Sequence, residues 1–326
     1  MIIDTHAHYT PQSLLTALKT KIDCFPSIDL LEEEGKFQLA FLGGNPTRPL
    51  SPKLRDTDMR LEWMDEQSID KQVVGGWLDS FGYELPAEEG EAWSRFMNEF
   101  QMTGTDNIDR LCPLATVPLQ DGNRAAKVLE EAMADGFKGV MIGTQPKGGT
   151  GNLDDMDLDP FWEAASSLGA TIYLHPMFGC GDPRLNDFAL MNAVGRGTDT
   201  TTAVSRLLFS GHLLKYSGMK FVLSHGGGAI PFMMGRLAKN YEIHPGQYSD
   251  PVASFRKLYF DTVLFAPDAL KFLCSSCGHE RVMLGSDYPF PIGDMTPLKV
   301  IDEACFTDQQ RNMIVGKTAA KLFGIS

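Results

Sequence analysis

Long apolar runs are missing from this 326-residue sequence. None approaches the roughly 20 residues that span a bilayer, so no membrane helix is predicted. The first residues lack a basic stretch followed by an apolar one, so we expect no secretory signal and a cytoplasmic address. Positive charge is scarce, with 29 lysines and arginines against 42 acidic residues and a net charge of -13. This balance disfavours nucleic acid and anionic membranes as partners, and an anionic substrate would need local positive charge.

Cysteine is also sparse, and its six residues are scattered: Cys24, Cys112, Cys180, Cys274, Cys277 and Cys305. Because no signal segment is predicted, we expect reduced thiols. Cys274-Ser-Ser-Cys277 has the spacing of a redox or zinc pair, with His279 nearby, but no second pair accompanies it. The pair is therefore interpreted as ordinary thiols.

Short β-branched runs alternate with longer helical patterns, which indicates an α/β protein built of parallel βα units. The strand candidates are residues 2–6, 72–77, 111–117, 139–143, 171–175, 220–224, 258–261 and 282–286. The helix candidates are residues 59–67, 91–103, 124–135, 161–168, 200–216, 231–240, 267–274, 297–304 and about 308–322. Eight strands in alternation with helices predict a single (β/α)8 TIM barrel over residues 1–326.

The alternation is interrupted by residues 9–56, between the first strand and the first clear helix. This segment contains five prolines and Gly43-Gly44. A βα connection lies on the catalytic face of a barrel, and a long one is often functional. We therefore predict an insertion after strand 1 that forms a lid.

Two histidines end the first predicted strand, in Asp4-Thr5-His6-Ala7-His8. Residues two apart on an extended strand point to the same face. At the C-terminal end of a barrel strand both imidazoles would project into the mouth and could bind one ion. Taken alone, the pattern fits a pair of surface histidines equally well.

Three further polar residues end later strands: His175 ends strand five, His225 strand six and Asp287 strand eight. Barrel active sites lie at this layer, whereas the three remaining histidines fall in helix or loop contexts. Three imidazoles and a carboxylate suit one zinc ion with an open position, and manganese is not excluded; the set is His6, His8, His175 and Asp287. His225 is the candidate base, although spacing alone does not separate base from ligand.

Longer motifs extend this pattern over nearly the whole chain. They are Asp4-Thr-His-Ala-His8, Arg48-Pro49 leading to Arg60-Leu-Glu-Trp-Met-Asp65, Thr116-Val-Pro-Leu-Gln120, Gly139-Val-Met-Ile-Gly-Thr144, His175-Pro176, Ser224-His-Gly-Gly-Gly-Ala-Ile-Pro231 with Gly235-Arg236, and Gly285-Ser-Asp-Tyr-Pro-Phe-Pro-Ile-Gly293. The last two are the most specific. Together the motifs resemble the amidohydrolase superfamily, and within it 2-amino-3-carboxymuconate-6-semialdehyde decarboxylase and related metal-dependent decarboxylases.

This resemblance implies roles for individual residues. It makes His6, His8, His175 and Asp287 ligands of one zinc ion, and His225 the histidine that assists a metal-bound water in proton transfer. It makes Arg48 and Arg236 the arginines that hold a substrate carboxylate, with Arg236 reaching in from a partner subunit, so it implies a homodimer. Without the resemblance, Arg48 reads as a solvated loop charge and Arg236 as a helix-surface charge.

Related barrels with two ions carry a bridging carboxylated lysine on strand four. Here Lys138 precedes that strand and Lys147 follows it, so neither takes the bridging position. We therefore expect one ion per subunit.

One loop departs from the resemblance. The semialdehyde decarboxylases typically carry Trp-Asp after His-Pro, whereas this chain has Met177-Phe178-Gly179-Cys180. The loop should line the pocket, with Phe178 as a substrate contact, so aromatic hydroxy acids and muconate-type acids both stay open. The predicted function is metal-dependent, non-oxidative decarboxylation of such a small carboxylic acid. The alternatives are a hydrolase or hydratase of a lactone, amide or double bond, and a non-catalytic binding protein.

Overall fold

A computed structural model describes residues 1–177 and 181–326. Its strands are β1 (Ile3–His8), β2 (Ile28–Glu33), β3 (Lys36–Phe41), β4 (Lys71–Gly75), β5 (Leu111–Pro113), β6 (Val140–Gly143), β7 (Thr171–His175), β8 (Lys220–Leu223), β9 (Leu258–Asp261) and β10 (Val282–Met283). Its helices are α1 (Gln12–Lys21), α2 (Pro52–Arg55), α3 (Thr57–Glu66), α4 (Ala87–Thr103), α5 (Gly122–Ala134), α6 (Asp159–Leu168), α7 (Arg196–Ser210), α8 (His212–Lys215), α9 (Ile230–Ile243), α10 (Pro251–Phe255), α11 (Pro267–Cys277), α12 (Pro297–Glu303), α13 (Asp308–Asn312) and α14 (Thr318–Phe323). In these described ranges, no helix has the length and apolarity needed to cross a membrane.

Within the described residues, eight parallel strands form the barrel. Strands β1, β4 and β5 pair in one sheet, and β6 to β10 pair in order in another. Two parallel bridges join the sheets, one from Ala115 to Val140 and the other from Ala7 to Tyr288. The strands therefore follow one another around a ring, and the predicted barrel is confirmed.

The barrel strands are buried along almost their whole length. Strand β7 reads Thr-Ile-Tyr-Leu-His, and all five residues are buried. This follows from the architecture, because parallel strands are covered on both faces and so read as near-continuous apolar runs. The helices cover the outer face through one apolar stripe. In α5 the stripe is Ala125, Val128, Leu129 and Ala132, and the side chain of Asp121 caps the helix by accepting from the Arg124 N–H.

Residues 9–56 have regular structure that the sequence analysis did not assign. They contain α1 and the antiparallel pair β2 and β3, which is joined at Glu34 and Gly35, both with positive φ. Such a two-residue turn matches the twist of the strands. Phe37, Leu39 and Phe41 are buried in the main core. The alternation was hard to recognise because β2 ends in two exposed glutamates. The role of this segment as a lid stays a prediction.

Most predicted helices are present with bounds shifted by a few residues, such as α4, which begins at Ala87 rather than residue 91, and two are interrupted. The segment predicted as 200–216 begins earlier, at Arg196, and breaks at Gly211, whose φ of 80° is left-handed. Glycine adopts this conformation readily and commonly ends helices. The segment predicted as about 308–322 is α13 and α14 joined by a π-helical turn at Met313–Lys317.

Candidate metal centre

Five side chains from four strand ends meet at the C-terminal mouth of the barrel. Their common neighbour is the carboxylate of Asp287. The Nε2 atoms of His8, His6 and His175 lie 3.0, 3.4 and 3.8 Å from its Oδ1. The Nε2 of His225 lies 3.4 Å from its Oδ2. The structure therefore brings together every metal-site residue that the sequence analysis proposed.

Hydrogen bonds at the outer ring nitrogens orient three of these imidazoles. The Nδ1 atoms of His6, His8 and His175 lie 2.6, 2.9 and 2.7 Å from oxygens of Asp261, Gly76 and Pro176. These oxygens accept hydrogen bonds, so each Nδ1 donates and each Nε2 keeps its lone pair toward Asp287. A carboxylate or carbonyl behind the ring is typical of metal-ligating histidines.

The charges of the cluster favour an ionised Asp287 among imidazoles. Burial alone would raise the pKa of Asp287, but the surrounding imidazoles, His6 foremost and then His175, His225 and His8, hold it well below its usual range. Burial lowers the pKa of His175 well below its usual range, and the other histidines add to this effect. Asp287 and His225 both have positive φ, at 59° and 53°, a strained backbone state that concentrates at functional sites.

The donor set fits a divalent ion. Among the described residues, His6 Nε2 and His175 Nε2 are buried without any hydrogen-bond partner. Ligand atoms of His6, His175, His225 and Asp287 all lie within 4.8 Å of one another. An unpartnered buried nitrogen is unfavourable, and a shared cation would satisfy both. This group of four contains His225, whereas the ligand set predicted from the sequence contains His8. The distances alone therefore do not show which histidines are metal ligands and which is the base.

A cavity of about 770 Å³ opens above the cluster. Its wall includes Arg48, whose guanidinium lies 5.6 Å from the Trp77 ring and 5.7 Å from the Phe290 ring. Arg48 also donates to Asp79 at 3.1 Å, and its side chain is 57% exposed. A half-exposed cation beside aromatic walls suits a flat carboxylic acid. In the part of the chain that is described, no lysine lines this cavity.

Two predicted substrate contacts have different outcomes. Arg236 is exposed on α9 and lies outside the lining of its own chain's cavity. Its expected reach into a partner subunit stays a prediction. Phe178 lies outside the described residues.

Two residues of the site were not predicted from the sequence. Asp261 ends β9 and accepts hydrogen bonds from the His6 ring and from the backbone N–H groups of His225 and Gly226. Its strand-end position, the signal used for Asp287, could have revealed it. Arg196 lines the cavity at the start of α7. No pattern in its helix distinguishes it, because the approach of that helix to β7 is a tertiary feature.

A fully buried arginine supports the first histidine strand from behind. Arg60 donates to Gln72 Oε1 at 2.6 Å and to the backbone carbonyl of His8. Its guanidinium lies 4.8 Å from the Tyr288 ring and 5.1 Å from the Tyr9 ring. Burial lowers the pKa of Arg60 to about 10. The side chain therefore holds the strand that carries His6 and His8 from the side away from the cavity.

Replacing this arginine should destabilise the fold. In Arg60→Met, Gln72 Oε1 and the His8 carbonyl lose their donor, while the desolvation of a buried charge is relieved. We expect the free energy of unfolding in urea to fall by about 2–4 kcal/mol. The control Arg311→Met removes a surface pair with Asp302 and should change it by no more than about 1 kcal/mol. Equal effects of the two variants would contradict the support role of Arg60.

The whole chain is similar to known proteins. A family model described as Amidohydrolase matches residues 3–325. The 2-amino-3-carboxymuconate-6-semialdehyde decarboxylase of Dictyostelium discoideum is 26% identical over 331 residues, covering 99% of this chain and 91% of the relative. The 2-keto-4-carboxy-3-hexenedioate hydratase of a Sphingobium strain is 22% identical, covering 99% of this chain and 96% of the relative.

Solved structures share the fold over the same length. The 5-carboxyvanillate decarboxylase of Sphingomonas paucimobilis is 25% identical with a TM-score of 0.81, covering 100% of this chain and 99% of that one. The corresponding enzyme of Novosphingobium aromaticivorans, a mutant with bound manganese and a nitrobenzoic acid, is 19% identical with a TM-score of 0.81. It covers 99% of this chain and 97% of its own, and at this identity the likeness concerns the fold.

Proposed function

Because the chain belongs to the Amidohydrolase family over residues 3–325, we propose that it is a metal-dependent, non-oxidative decarboxylase of an unsaturated or aromatic carboxylic acid. The full-length similarity to decarboxylases supports this reaction. The observation that carries the proposal is the shared cavity: the His/Asp cluster and the guanidinium of Arg48 face the same space. One side can bind an ion, and the other can bind an acid.

We propose that His6, His8, His175 and Asp287 hold one zinc ion, with manganese as the alternative. The side chains of His6 and His8, both on β1, are inaccessible to solvent, and that of His175 is only 7% exposed. The side chain of His225 is 23% exposed, so it is the most accessible of the four histidines to a substrate. Three nitrogens and one carboxylate oxygen suit zinc more than manganese.

The remaining residues account for the reaction. Arg48 orients the substrate carboxylate with paired N–H donors. The bond between this carboxylate and its carbon breaks, the electron pair stays on the carbon, and carbon dioxide leaves. His225 delivers a proton to that carbon from Nε2. When bound, the divalent ion supplies positive charge that stabilises the negative charge developing on the substrate. Trp77 and Phe290 form flat walls that exclude water from one side.

The direct test is a panel of substrates with the ion-loaded protein. Hydroxybenzoates, muconate-type acids and matched lactones are incubated, while carbon dioxide is recorded by a coupled assay. We expect carbon dioxide from at least one acid, and none after a chelator removes the ion. If lactones turn over and no acid releases carbon dioxide, the proposal is wrong.

A hydratase is the second candidate. The full-length similarity to a hydratase favours it, and the same cluster could serve addition of water to a double bond. Loss of ultraviolet absorbance from an unsaturated acid without carbon dioxide would identify this reaction. The proposed decarboxylase instead releases carbon dioxide and leaves the double bond in place.

We further propose a homodimer in which Arg236 enters the partner's cavity. Helix α9 is 14 residues long, and Ile230 is the buried one among them. Its Phe232 side chain is 79% exposed, and Phe265 and Ile292, which line the cavity, are 57% and 42% exposed. Exposed large apolar side chains on a helix and at the mouth of a site are typical of an interface.

Complementation between variants tests the shared site. Arg236→Met should lose about 10- to 100-fold in kcat/KM, because a charge-assisted contact to the acid is removed. Refolding it with an equal amount of inactive Asp287→Asn chains should restore roughly a quarter of wild-type activity, since half of the dimers are mixed and each has one complete site. The molecular mass measured in solution tests whether the chain forms a dimer. No gain of activity on mixing would contradict a shared site.

A further inference from the structure

Arg196 is a cavity cation without an acidic partner. Its Nη1 donates to the backbone carbonyls of Pro176 and Met177 at 3.2 and 2.8 Å. Among the described residues, no carboxylate lies within ion-pair distance of its guanidinium, whereas Arg48 has Asp79. The side chain is half-buried, and burial lowers the pKa of Arg196. A desolvated guanidinium with free donors facing a cavity is a binding group for an anion.

The helix start holds this guanidinium in a fixed place. Helix α7 begins at Arg196, directly after a π-helical turn at Met191–Gly195, a feature that is frequent at functional sites. Its next residue, Gly197, approaches the loop after β8 so closely that a Cβ on Gly228 would lie 2.5 Å from the Gly197 carbonyl oxygen. One turn later, Asp199 accepts from the Met177 N–H at 3.4 Å. Arg196 and Asp199 of α7 therefore both hydrogen-bond to the backbone that directly follows β7.

The charge of the cavity matches a dianion. Its charged side chains are Arg48, Arg196, Asp79 and Asp287, so the two cations and two anions balance. A divalent ion would give the cavity a net charge of about +2. A monocarboxylate would neutralise only part of this charge, and Arg196 would still lack an anionic partner.

We propose that Arg196, from the same subunit as the metal cluster, binds a second acidic group of the substrate and so selects dicarboxylic over monocarboxylic acids. This inference rests on the proposed function and names the substrate class of that site. The first carboxylate lies toward Arg48 and the ion, and the second lies toward the end of β7. Arg196 is therefore a specificity residue beyond the arginines implied by the family.

The test measures selectivity at the level of binding. Dissociation constants are determined by calorimetry for benzoate and for the three benzenedicarboxylate isomers on the ion-loaded protein. We expect wild type to bind at least one isomer about 10- to 100-fold more tightly than benzoate, the range for added charge-assisted hydrogen bonds. Arg196→Met should abolish this preference, and Arg196→Lys should keep part of it. The control Arg206→Met lies on the same helix, paired with Asp154, and should keep all of it.

The outcomes separate specificity from support of the loop. If Arg196 only positions Met177, its replacement weakens benzoate and the dicarboxylates equally, and the inference is wrong. It is also wrong if wild type has no preference, or if the preference survives in Arg196→Met. If Arg196→Met loses the preference for dicarboxylates but no acid releases carbon dioxide, only the proposed decarboxylase activity is wrong. If wild type releases carbon dioxide but Arg196→Met keeps the preference for dicarboxylates, only the proposed role of Arg196 is wrong.

Discussion

Asp287→Asn is expected to lose the bound ion and at least about 10³-fold in the rate of decarboxylation. Among the described residues, Asp287 is the one carboxylate that approaches all four imidazoles, at 3.0 to 3.8 Å. Asparagine keeps the shape but removes the negative charge, and three neutral nitrogens alone bind a divalent ion less tightly. The ion contributes several kcal/mol of charge stabilisation, and each 1.4 kcal/mol is tenfold in rate.

The experiment measures metal content and rate on the same samples. Chelator-treated wild type and Asp287→Asn are loaded with zinc or manganese, desalted and analysed by mass spectrometry for ions per chain. Wild type should hold one ion, and the variant should hold much less than one. Asp302→Asn, on a surface pair with Arg311, is the matched control and should behave as wild type. A variant that keeps one ion and its rate would show that the catalytic centre is elsewhere.

The sequence could predict the metal cluster because its geometry is local to strand ends. His6 and His8 are two apart on β1, so a strand puts both on one face. The barrel then brings the ends of β7, β8 and β10 to the same mouth, and their residues are next to one another in space. Once the order of the strands is known, residues that end neighbouring strands are predicted to lie together, however far apart they are in the sequence.

The rest depends on tertiary contacts that leave no periodic signal. Arg196 is one arginine at the start of an ordinary amphipathic helix, and its position in the cavity comes from the close approach of Gly197 and Gly228. Arg60 lies in a quoted motif, but its burial between two tyrosines follows from packing alone. The β2 and β3 hairpin was missed because its exposed strand end resembles a polar loop.

His225→Gln should separate base from ligand, with a large loss of rate and little loss of metal. Glutamine cannot transfer a proton from its amide, so we expect kcat to fall by about 10²–10⁴. The ion should stay near one per chain. The companion variant His8→Gln should instead lose the ion, and its activity should fall with its metal content. His279→Gln, packed on Phe306 away from the cavity, is the control for both.

The expected difference between His8 and His225 follows from the group that faces Nδ1 of each ring. His8 Nδ1 faces the Gly76 carbonyl, an obligate acceptor, so its Nε2 is unprotonated and aimed at the ion position. His225 Nδ1 faces the Ser224 hydroxyl at 3.3 Å, which can donate or accept as the ring changes protonation state. A ligand needs the first arrangement, and a group that gives up and regains a proton needs the second. Loss of the ion from His225→Gln would make His225 a ligand, and the proton would then have to come from another group.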